Sequence, residues 1–90
     1  MRHMIKWHLL TDNNGNPLPK LRGWDSVMDA RYEMDIGEKC TVYRVDIYPL
    51  APVYRVILGY STLLECMVAA ERNSESEYQE AVSFNENDEH

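Results

Sequence analysis

The sequence predicts an α+β domain: three or four antiparallel strands, with a C-terminal helix packed on one face of the sheet. Three observations carry that expectation. Segments 28–36, 41–48 and 53–60 alternate side-chain character with period two. Their connections are short and contain Gly or Pro, as in an antiparallel meander. After Gly59 the apolar spacing turns helical, behind a Thr62-x-x-Glu65 sequence of capping-box form.

The first element is a short strand, residues 5–10, with Ile5, Trp7 and Leu9 on one face and Lys6 and His8 on the other. Asp12-Asn13-Asn14-Gly15-Asn16-Pro17 is dense in turn formers, since Gly and Asn accept positive φ and Pro fixes φ. Pro17 and Pro19 extend this turn into an expected irregular loop ending near Gly23.

Residues 24–36 fit two templates. A helix would align Trp24, Val27, Met28 and Tyr32, with Asp25 as N-cap. A strand would set Met28, Ala30, Tyr32, Met34 and Ile36 against Asp29, Arg31, Glu33 and Asp35. Nine consecutive residues keep the period of two and Gly37 follows at a turn position, so the strand is preferred.

The next strand is rich in β-branched and aromatic residues, with Tyr43, Val45 and Ile47 opposite Arg44 and Asp46. Pro49 and Pro52 bracket a turn. In 53–60, Tyr54, Val56, Leu58 and Tyr60 alternate with Val53, Arg55, Ile57 and Gly59. The helix then carries Leu63, Leu64, Met67 and Val68, which are expected to pack on Tyr43, Val45, Ile47, Val56 and Leu58. Asn73-Ser74 suggests a break, and Ser74-x-x-Glu77 a restart. Residues 1–82 thus form one expected domain, and 83–90 an acidic, frayed tail anchored by Phe84 alone.

Charge divides the chain near residue 60. Residues 1–60 hold eight basic and seven acidic residues, a net of +1; residues 61–90 hold Arg72 against eight acids, a net of −7. An acidic third repels nucleic acid and anionic membrane and attracts basic protein surfaces. The whole chain has 15 acids against 9 bases, so no direct nucleic-acid binding is expected. No window approaches the ~18 apolar residues of a membrane span. The N-terminal residues lack the apolar run of a secretory signal, and two cysteines are too few for a disulfide scaffold. These features predict a cytoplasmic protein.

Catalytic chemistry finds little support. His3, His8, Cys40, Cys66 and His90 have no metal-ligand spacing, and no cofactor is expected. Cys66 falls among apolar helix residues, while Cys40, beside Lys39, is the better candidate for a reactive thiol. No GxSxG, GxxxxGK[ST] or GxGxxG is present. Carboxylate pairs such as Asp29 with Glu33, or Glu77 with Glu80, read as solvated faces. The expectation is a protein without catalysis.

A binding role is the better reading. Glu71, Glu75, Glu77 and Glu80 approximate a row of charges on successive helical turns, a spacing comparable to phosphates on a nucleic-acid strand. Trp24, Tyr48 and Tyr54 are candidate aromatic anchors for a protein partner. The expected partner has a basic surface, and a homodimer is compatible with the aromatic content. The rival reading is a small oligomeric or regulatory subunit whose acidic segment serves only solubility.

The order of features resembles a family of short, uncharacterised phage and prophage proteins. Those carry an early Trp, a Leu-Pro, a Val- and Tyr-rich strand and a closing Val-x-Ala-Trp. The counterparts are Trp7, Leu18-Pro19, Val27 with Tyr32, and Val68-Ala69-Ala70. Ala70 or Glu71 stands where the closing Trp would be, and the trailing proline is missing. The resemblance implies no activity; it implies an accessory gene of a phage or mobile element. Joined to the acidic row, it yields the expectation of an anti-defence inhibitor, of anti-CRISPR or anti-restriction type, acting in the host cytoplasm.

Overall fold

Five strands lie side by side in chain order in one antiparallel sheet, and a long helix crosses one face. This computed structural model describes residues 5–47 and 49–88. The strands are β1 (Lys6–Thr11), β2 (Pro17–Asp25), β3 (Ala30–Asp35), β4 (Cys40–Ile47) and β5 (Pro52–Ser61); the helix is α1 (Leu63–Asp88). The α+β class and the helix-covered antiparallel sheet agree with expectation, but the count of three or four strands is corrected to five.

The additional strand is β2, where a loop is expected from Pro17 and Pro19. Leu9 pairs with Leu21 and Thr11 with Pro17, so one residue of β1 opposes three of β2. Pro19 sits in that bulge, where its missing N–H costs no ladder bond to β1. Its carbonyl accepts the Ile36 N–H at 2.9 Å. The turn before it is held by Asp12, whose Oδ1 accepts the N–H groups of Asn14 and Asn16 at 2.8 and 2.9 Å. Gly15 supplies the positive φ of 83°.

Between β2 and β3, Asp25 Oδ1 accepts the N–H of Val27 and, more weakly, of Met28. β3 therefore starts at Ala30 rather than Met28. Its period of two holds, with Ala30, Tyr32 and Met34 fully buried. Trp7, Gly23, Tyr32 and Arg44 form one row across β1–β4 on this helix-facing side. A Cβ on Gly23 would lie 2.6 Å from Ile5 and 2.8 Å from the Trp7 ring, so only glycine lets those side chains close over the row.

The buried face of β4 differs from expectation. Cys40 and Val42 point to the helix, while Tyr43, Val45 and Ile47 lie on the opposite face. Val45 is nonetheless 5 % exposed, whereas Ile47 is 60 % exposed. Bulges in the β4–β5 pairing separate Val56, opposite Tyr43, from Leu58, opposite Val42, which turns Leu58 toward the core.

The capping box forms as expected: Thr62 N–H donates to Glu65 Oε1, and Glu65 N–H donates to Thr62 Oγ1, both at 3.1 Å. α1 then runs unbroken through Asn73-Ser74 for 26 residues, about 39 Å at 1.5 Å per residue. Its buried stripe is Cys66, Ala70 and Ser74, spaced by four, flanked by Met67 and Ala69. Leu64 is 70 % exposed, and Leu63 and Val68 also face outward, so these do not form the expected core contact. Small residues let the helix axis approach the bulky Tyr32 and Met34 closely, leaving the leucines on its flank.

Candidate functional site

The face of the sheet away from α1 gathers residues that are scattered in sequence. Cross-strand pairing aligns Lys6, Trp24, Arg31, Val45 and Tyr54 in one row, and His8, Arg22, Glu33, Tyr43 and Val56 in the next. Lys20, Asp35 and Thr41 form a third. β1 and β2 thus present Lys6, His8, Lys20 and Arg22, while β4 and β5 present aromatic and aliphatic side chains. An open groove of about 200 Å³ lies where the two zones meet, lined by Arg22, Arg31, Glu33, Val45, Ile47 and Tyr54 among others.

Two tyrosines fix the middle of this face. The Tyr43 and Tyr54 rings meet edge to face, 6.1 Å between centroids. Tyr43 donates to Asp35 Oδ2 at 3.2 Å and Tyr54 to Glu33 Oε2 at 3.3 Å. Partial burial and then the Asp35 carboxylate raise the Tyr43 pKa above its ordinary value, keeping the hydroxyl a donor. Asp35 also meets Lys20 at 3.7 Å. The Trp24 indole, 44 % exposed, donates to Asp29 Oδ1 at 3.2 Å, and Asp29 holds positive φ at the β2–β3 turn.

The acidic row named from sequence is dispersed. Glu71 Oε1 accepts the Ile5 N–H at 2.8 Å, tying α1 to the start of the sheet. Glu77 faces Arg44, with Nε to Oε2 at 3.3 Å and Nη2 to Oε1 at 3.5 Å. Glu75 accepts from Gln79, and Glu80 is exposed. The spacing of four that aligns Glu71 with Glu75 also turns them toward the sheet beside Ala70 and Ser74. Tyr48, His3, His90 and the side chain of Phe84 lie outside the described residues.

Between helix and sheet lies a polar seam. Ser74 Oγ donates to Asp25 Oδ2, and both residues are fully buried. Tyr32 donates to Asn73 Oδ1 at 2.9 Å, and the Arg44 guanidinium carbon stands 5.6 Å from the centre of its ring. Burial, followed by the nearby Glu77 carboxylate, pushes the Tyr32 pKa up to about 12. These groups satisfy one another, which is structural chemistry.

Both thiols are buried. Burial, then Cys40 and Glu65, pushes the Cys66 thiol up and away from the reactive thiolate. Cys40 is corrected from candidate reactive thiol to core residue, 3 % exposed. Among the described residues no three His, Cys, Asp or Glu side chains converge as a metal site, and no helix is long and apolar enough to cross a membrane.

Of the residues named from sequence, Trp24 and Tyr54 lie on this face, beside Lys20, Arg22 and Arg31, which sequence does not single out. The alternation of Arg31, Glu33 and Asp35 was their visible signal; the pairing of β2 supplied the rest. Compared with known proteins, the chain matches no family model, and no curated protein or solved structure is significantly similar to it.

Proposed function

We propose that this chain is a non-catalytic protein-binding module whose working surface is the uncovered sheet face. The observation that carries this reading is that the exposed Trp24, Arg31 and Tyr54 lie in one row, which sets aromatic and guanidinium groups together on the face that α1 does not cover. Aromatic residues and Arg are enriched at protein interfaces and supply most of the binding energy there. Glu33 and Asp35 at the centre of the face interrupt the cations Lys6, Lys20, Arg22 and Arg31, so a polyanion crossing it would meet two carboxylates between them. That favours a protein partner over nucleic acid.

A second reading keeps the acids as the working surface. The protein would be a phage or mobile-element accessory that blocks a basic nucleic-acid-binding site on a host defence protein in the cytoplasm. The exposed Glu80 and the net −7 of residues 61–90 favour it; the internal engagement of Glu71 and Glu77 weighs against a continuous row. A pure solubility role for the acids fits either surface.

Capture from host lysate with wild-type protein, followed by affinity measurement on the reconstituted pair, tests both. Trp24→Ser with Arg31→Glu should abolish binding while Glu80→Gln leaves it intact. The opposite pattern transfers the function to the helix, and binding by every variant removes both surfaces.

A further inference from the structure

We propose that a second copy of this chain pairs along the outer edge of β5, antiparallel about a twofold axis at Tyr54, making one ten-stranded sheet. This inference does not rest on the function proposed above. β1 and β5 are the two edges of the sheet. β1 is six residues long and carries Lys6 and His8, both exposed, a common guard against edge pairing. β5 is ten residues long, and its only charged side chain is Arg55. Val53, Tyr54 and Val56 are all about half exposed along it, at 49, 50 and 59 %. A long apolar edge with unpaired backbone donors and acceptors is a template for another strand.

The register follows from β5 itself. Pro52 to Val56 pairs with β4 without interruption, whereas both bulges of the β4–β5 pairing fall beyond Val56. Tyr60 adds a positive φ of 52° near the strand's end, a kink that a bulky residue rarely adopts. Only residues 52–56 are therefore regular enough to zip against a partner, and their midpoint is Tyr54. Opposed residues of antiparallel strands share a face, so the twofold must pass through one residue.

Charge selects among the neighbouring registers. A twofold at Arg55 would set two guanidinium groups against each other, which is destabilising. A twofold at Val53 would push pairing into Leu50 and Ala51, outside the strand. The Tyr54 register instead places Arg55 opposite Val53 of the second copy. The neighbour of that Val53 on its own sheet is Asp46, an opposite charge that bridges Arg44 at 3.4 Å and stays 34 % exposed, within reach of a long side chain as a shared acceptor. The two Tyr54 rings would meet across the axis as an aromatic cross-strand pair. The open faces of the two sheets would then be continuous.

The test is the solution mass together with cysteine cross-linking. Wild type at 100 µM should sediment at twice the 10.5 kDa of the chain. Tyr54→Cys should form a covalent dimer under mild oxidation, because the opposed β-carbons lie within disulfide reach. Tyr60→Cys, which is more exposed, should not. Val53→Lys, which sets a second cation opposite Arg55 of the other copy, should weaken dimerisation at least tenfold while the melting temperature of the monomer changes little. A monomeric wild type would overturn the proposal. So would cross-linking at Tyr60→Cys as fast as at Tyr54→Cys, which would mean contact in some other arrangement.

Discussion

Ser74, in the middle of α1, donates its hydroxyl to the buried carboxylate of Asp25 at the end of β2. The two residues are 49 positions apart, and the bond fixes how far the helix slides along the sheet. The same carboxylate orders the β2–β3 turn through Val27 and Met28. Ser74→Ala removes a partner of a buried carboxylate and should cost about 1–3 kcal/mol in urea denaturation. Asp25→Ala should cost more, since it also leaves the turn N–H groups and the Ser74 hydroxyl without their acceptor. Equal stability of Ser74→Ala and wild type would show that the bond is not part of what holds the helix.

Tyr32 makes stability depend on pH at the alkaline end. Its folded pKa of about 12 lies above the ordinary value of 10. The folded state therefore keeps the proton that the unfolded chain releases above pH 10. This contribution is fully present below pH 10 and is lost as pH rises toward 12, a fall of about 3 kcal/mol at most. Denaturation at pH 9, 10 and 11 should show the decline. Tyr32→Phe should reduce it, leaving the share of Tyr43 and Cys66, whose pKa values are also raised, while lowering stability at neutral pH through loss of the Asn73 contact.

The acids of α1 separate into structural and solvated groups. Glu77→Gln removes one of the two carboxylates on the Arg44 side chain, which is 14 % exposed and keeps Asp46 at 3.4 Å, and should lower stability by about 1 kcal/mol. Glu80→Gln should leave the melting temperature within the scatter of surface substitutions. Thermal melts of the two single variants check this. A combined substitution of Glu71, Glu75, Glu77 and Glu80 would confound binding with unfolding.

Val45 and Ile47 share a face of β4 but not an environment. From sequence both are expected to be core positions packed against the helix. In the structure only Val45 is buried, at 5 % exposure against 60 % for Ile47. Val45→Asp should lower the melting temperature markedly, because the new carboxylate is desolvated and only Arg31, directly across the ladder, can offset it. Ile47→Asp should remain folded. Loss of folding in both would mean that the open face is covered in solution.

Local pattern was enough for several elements. The period of two in Ala30, Tyr32 and Met34 found β3 and its buried face. Thr62 and Glu65 found the start of α1, because a capping box is complete within four residues. Asp12 to Asn16 found the first turn. The placement of Ile5 and Trp7 opposite Lys6 and His8 held because β1 has the same period.

What the tertiary structure alone decided is non-local. Pro19 argues against a strand until the bulge opposite Leu10 removes the need for its N–H. The face of β4 that meets the helix could not be read locally, since both faces carry apolar residues and only pairing with β3 chooses between them. The buried stripe of α1 is Cys, Ala and Ser, so the leucines that mark the apolar side in sequence mark the flank in space. Lys20, Arg22 and Arg31 are dispersed along the chain, and the register of β2 with β3 brings them to one face. Periodicity is set by neighbouring residues, whereas register and helix phase are set by which distant surfaces exclude water together.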